Sequence, residues 1–127
     1  MKTKEEKRIY VIVAETVRAG SKTVLQPKGR QIAQACHVTS LMRIKEHIRK
    51  PAPIKSITTI ILSVDNSYQL AFYALQLADA GIHVDAFYDT NPAAYGSGEI
   101  RMAICTVPVK PGRVRDILKQ LPLWGSE

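Results

Sequence analysis

The chain has 127 residues, 46% of them apolar, and a formal charge of +7 at neutral pH; that is enough apolar material for one packed core, and no composition shift divides it, so a single domain over residues 1–127 is expected. The longest apolar run, ITTIILSV at 57–64, is too short to span a bilayer, and the opening MKTKEEKR lacks the apolar stretch of a secretory signal, so a cytoplasmic protein with no membrane partner is expected. Cys36 and Cys105 lie among apolar neighbours without C-x-x-C or metal-ligand spacing, which predicts buried free thiols in a reducing compartment.

The first element is RIYVIVAET, residues 8–16, an apolar β-branched run with little polar alternation that reads as a central strand buried on both faces. VRAGSKTVLQPKG, residues 17–29, follows as a long basic loop. It opens the segment that carries the charge of the whole molecule. Residues 18–50 hold eight basic side chains, Arg18, Lys22, Lys28, Arg30, Arg43, Lys45, Arg49 and Lys50, against one acid, while the flanking stretches 1–17 and 51–127 carry only +1 and −1. Such single-sign clustering marks either a solvated helix face or a surface that attracts phosphates through counterion release and steering.

From about Pro27 to Lys50, Ile32, Ala33, Cys36, Leu41, Ile44 and Ile48 recur at helical spacing and predict the apolar face of a helix that KPAP then ends. KSITTIILSV, 55–64, is a second buried strand. DNSYQLAFYALQLADAG offers capping side chains at Asp65, Asn66 and Ser67, an apolar face of Leu70, Tyr73, Ala74 and Leu77, and Gly81 as a stop, hence a second helix. IHVDAFYD, 82–89, alternates Ile82, Val84, Ala86 and Tyr88 against His83, Asp85 and Phe87, a third strand. TNPAAYGSG turns the chain, EIRMAICTVP is a fourth strand, and PGRVRDILKQL is a helix with proline near its start.

The order β-α-β-α-β-β-α predicts an α/β fold, three-layer α/β/α, with a mixed four-stranded sheet. Two right-handed crossovers make the first three strands parallel, and the short link from 90 to 98 makes the fourth antiparallel to the third.

Arg30, Gln34 and His37 fall at i, i+4 and i+7, one stripe beginning near the start of the first helix. Helix starts and the carboxyl ends of parallel strands share an edge of an open α/β sheet, and Asp89 closes the third strand, so the stripe and Asp89 are expected at the same edge. Asp89 alone would be an ordinary turn acid, and Gly96, Ser97 and Gly98 either a flexible turn or a backbone-amide anion site. His47 and His83 read as structural.

The pattern G-basic-x-x-x-Q-x-x-H in GRQIAQACH, followed by a strand ending in aspartate, a glycine-containing turn and a closing apolar strand, resembles the second class of peptidyl-tRNA hydrolases over essentially the whole chain. The resemblance implies hydrolysis of the ester between a peptide and the terminal ribose of tRNA by a homodimer; no cofactor or metal is expected. It implies catalytic roles for His37, Asp89, Arg30 and Gln34. Asp89 would orient His37 or polarise a water, Gln34 would position the ester carbonyl, and Arg30 would stabilise negative charge. Lys22, Lys28, Arg43, Lys45 and Gly98 would contact the substrate. The apolar C-terminal LPLWG would take part in pairing.

Several positions depart from the family pattern. Arg30 stands where lysine is usual, trading a point charge for a planar fork suited to bidentate phosphate contact, and Ala93 replaces a threonine. Thr90 and Asn91 replace the alanine and glycine after the aspartate, and Ala14, Glu15 and Thr16 stand where an arginine and an aspartate follow the first strand. The second functional class consistent with the residues is therefore a non-enzymatic relative that binds RNA, another anion or a protein partner. No G-x-x-x-x-G-K-[ST], G-x-G-x-x-G, G-x-S-x-G or H-E-x-x-H motif is present, which removes nucleotide, serine-esterase and zinc-protease chemistry of those types.

Overall fold

A computed structural model describes residues 6–19, 22–53, 55–89 and 99–125. The elements in chain order are β1 (Ile9–Ala19), β2 (Lys22–Leu25), α1 (Lys28–Arg49), β3 (Thr59–Asn66), α2 (Ser67–Asp79), β4 (Val84–Asp89), β5 (Ile100–Thr106) and α3 (Pro111–Leu118). No helix among the described residues is long and apolar enough to cross a membrane.

The class is mixed α/β as expected, but among the described residues the sheet has five strands where four were expected. β1 pairs in parallel with β3, from Ile9 opposite Thr59 to Thr16 opposite Asn66, and antiparallel with β5 through Val11, Ile12 and Val13. β5 in turn pairs antiparallel with β4, so β4 runs with β1. The fifth strand lies inside the expected loop: Thr16–Ala19 pairs antiparallel with Lys22–Leu25, and the Gln26 amide donates to the Glu15 carbonyl at 2.9 Å. Val17, Thr23 and Val24 favour extended backbone, and the Gly-Ser pair between the two arms is itself a hairpin signal that the basic side chains obscured.

β1 is buried along 9–14 on both faces, as an apolar run without alternation should be. Ile9, Val11 and Val13 join Ala35, Val38 and Met42 of α1 and Ala103 and Cys105 of β5. Tyr10, Ile12 and Ala14 join Leu70 and Leu77 of α2 and Val114 and Leu118 of α3. The α2 caps follow from its sequence. Asn66 Oδ1 accepts from the Tyr68 and Gln69 amides, Gln69 Oε1 accepts back from the Asn66 amide, and Gly81 at φ +78° ends the helix with Ile82 N donating to Leu77 O and Gly81 N to Ala78 O.

Helix α1 turns a different side to the sheet than its isoleucines suggest. Gln31, Gln34, Ala35, Val38 and Met42 are buried, whereas Ile32, Cys36, Ile44 and Ile48 are exposed, Ile48 by 74%. Cys36 is thus a free but exposed thiol; Cys105 is the buried one. The C-terminal segment folds along β3: Ser63 N donates to Pro122 O at 3.1 Å, Leu123 bridges Leu62, and Trp124 N donates to Ile61 O at 2.8 Å. LPLWG therefore makes contacts within its own chain.

Candidate functional site

The registers decide which ends meet. Phe87 lies opposite Ala103, which lies opposite Val13, and Asp89 lies opposite Ile100, three residues nearer the start of β5. Asp89 therefore approaches the sheet end where Gln26 bonds to Glu15 and α1 begins. Met102 is the residue skipped between the Phe87–Ala103 and Tyr88–Arg101 pairs, a bulge beside this end of β4.

On this ground the four expected catalytic residues have distinct settings. His37 is exposed, and its ring stacks on the half-buried Phe87 with centroids 4.9 Å apart and 29° between planes. Phe87 and Asp89 alternate onto one side of β4, so the histidine is seated one strand repeat from the aspartate, which is itself half-buried. Gln34 is only 6% exposed, and its Oε1 has no hydrogen-bond partner among the described residues. Arg30 stands exposed in the first turn. That turn starts after Pro27 with no capping side chain, so its backbone N–H groups and the helix dipole favour an approaching anion.

Of the five expected substrate contacts, Lys28, Arg43 and Lys45 have described side chains, spread along α1. Lys28 Nζ sits over the Trp124 ring at 5.4 Å. Arg43 Nη2 donates to the Lys55 carbonyl at 2.6 Å, and Lys45 Nζ binds Asp85 Oδ1 at 3.2 Å, eight residues and about 12 Å along the helix from His37. Arg43 and Lys45 thus hold hydrogen bonds within the chain. Gly98 and the side chain of Lys22 lie outside the described residues, as do Ala93, Gly96 and Ser97.

Sequence reasoning missed Asp85. It is 5% exposed, held by Lys45 and faced by His83 Nε2 at 3.6 Å, while its Oδ2 has no partner among the described residues. The signal was present in the alternation, since Asp85 shares the side of β4 that Phe87 presents to α1. His83 is thus a neighbour of a buried carboxylate. Farther along α1, the hydrogen bond from Arg49 holds the Glu46 carboxyl below its ordinary range, and burial pushes the Cys105 thiol up to about 12. Among the described residues no group of three His, Cys, Asp or Glu could hold a metal ion.

No protein-family model matches the chain, and no curated protein matches it in sequence.

Proposed function

We propose that this chain is a cytoplasmic hydrolase of the ester bond of peptidyl-tRNA, built on a three-layer α/β/α arrangement and working as a homodimer. The observation that carries the reading is the stacking of exposed His37 on Phe87, two residues before Asp89, at the sheet end where α1 starts. A water activated by His37 or by Asp89 attacks the ester carbonyl, and the carbon–oxygen bond to the ribose breaks as the proton passes to the leaving oxygen. Arg30 offsets the charge that develops, and Gln34 contributes an amide whose Oε1 has no hydrogen-bond partner among the described residues. The uncapped, basic start of α1, with Lys28 and Arg30, favours tRNA phosphate. Exposed Tyr68, Phe72 and Leu75, spaced one turn apart on α2, support pairing with a second copy.

Arg30 and the alanine at 93 favour a second reading, a module that binds RNA or another partner without chemistry. Peptide release from a peptidyl-tRNA without added metal separates the two. Under the hydrolase reading the unmodified chain releases peptide, and Arg30→Lys retains or raises the rate. Release that begins only when Arg30→Lys and Ala93→Thr are combined supports the binding module.

A further inference from the structure

By its own composition the first turn of α1 should fray. Pro27 offers no side-chain cap, no acid lies in the turn, Gly29 is its second residue, and Lys28 and Arg30 add positive charge to the positive end of the helix. Yet this turn carries Arg30 and leads into Gln34 and His37. Something outside the helix must hold it.

The holding contact comes from the other end of the chain. Gln31 is 4% exposed, with Nε2 donating to the Gln26 carbonyl at 2.7 Å and Oε1 accepting from Trp124 Nε1 at 2.8 Å. The amide is thereby oriented at both ends: exchanging its oxygen and nitrogen would set acceptor against acceptor and donor against donor. Trp124 is anchored in turn by its backbone bond to Ile61, beside the Leu62–Leu123 bridge, and its ring lies under Lys28. One relay thus links β3, the C-terminal segment, the first turn of α1 and the residue that leaves β2. Its two polar members are buried or half-buried, where an unmatched amide or indole N–H is costly.

We infer that Trp124 and Gln31 are positioning residues that fix the first turn of α1 and, through it, the placement of Arg30, Gln34 and His37. The structural part stands on the contacts above; the catalytic consequence rests on the proposed hydrolase reading.

The test uses the full chain with Trp124→Phe, which keeps an aromatic ring but removes the indole donor, and Gln31→Met, which removes both polar ends. Amide hydrogen exchange over residues 28–36 should quicken about tenfold in each variant, the size expected for one buried hydrogen bond, while amides of β1 and β5 keep their rates. The double variant should be no faster than the quicker single one, because both cut the same relay. In the peptide-release assay, kcat should fall about five- to tenfold in both variants with KM unchanged. Unchanged exchange at 28–36 in both, or exchange that rises equally across the whole sheet, overturns the proposal. An inactive unmodified chain whose first turn is loosened by both variants supports the relay and refutes the hydrolase reading alone.

Discussion

Replacing Lys45 by methionine separates the structural use of this cation from any use in binding. Asp85 is 5% exposed, with Lys45 Nζ 3.2 Å from its Oδ1. At that separation and an effective dielectric constant of about 20, the attraction is about 5 kcal/mol. Lys45 is 56% exposed, so water screens the pair and solvates the ammonium. Stranding one partner of a fully dry pair costs about 3–5 kcal/mol, and an exposed pair contributes about 0–1 kcal/mol. A pair with one dry and one wet member falls between, at about 2 kcal/mol, or about 6–10 °C in Tm for a domain of this size. Adding Asp85→Leu should return most of that loss, because it removes the stranded carboxylate and puts an apolar side chain next to Cys105. Thermal melts of the two single variants and the double variant at neutral pH measure the cycle. A Lys45→Met melt within about 1 °C of the parent, or a double variant less stable than Lys45→Met, would refute the reasoning.

The two thiols should differ sharply. At pH 8 an alkylating reagent should modify Cys36 within minutes and leave Cys105 untouched until the chain unfolds, since Cys36 is exposed and burial holds Cys105 protonated up to about pH 12; equal labelling of the folded protein contradicts this. The unfolded chain ionises Cys105 near its ordinary pKa of about 8.5 while the folded chain does not, so stability should fall as pH rises from there toward 12, and Cys105→Ala should flatten that decline in alkaline melts. Binding to tRNA should weaken with salt at a slope of about −0.7 to −0.9 per phosphate contacted, and Lys50→Glu, exposed where α1 ends, should reduce the slope by about one contact. Affinity indifferent to both would make 18–50 a solvated face.

Much of the frame is written locally in the sequence. The unbroken apolar run at 9–14 can only be buried on two faces, and the Asn66–Gln69 box and Gly81 announce both ends of α2 because their partners lie within a few residues. Elements whose placement depends on distant partners were not legible. Periodicity identified α1 but not which of its sides faces the sheet: the isoleucines at 32, 44 and 48 are exposed, while Ala35, Val38 and Met42 form a stripe flanked by two glutamines. The glutamine-bearing stripe is the buried one, and Gln31 tolerates burial because Trp124, 93 residues away, meets its amide oxygen. Asp85 is similar, since its partner Lys45 lies 40 residues earlier on another element. In the candidate site, the helical stripe and the strand end were readable from spacing and topology. Phe87 as the seat of His37 was not, because a strand alternation does not name the helix residue that meets it.

The most direct measurement is single-turnover release of peptide from a peptidyl-tRNA, with the purified chain in excess and no metal added. The account predicts release far above the spontaneous rate, reduced about 10²-fold or more by His37→Ala and by Asp89→Ala, the range for loss of a positioned acid–base or orienting group. His37 is exposed and its main contact is a ring stack worth about 0.5–1.5 kcal/mol, so His37→Ala should stay folded at assay temperature and its lost rate should report chemistry. Release from the folded, tRNA-binding parent chain at no more than the spontaneous rate would contradict the account.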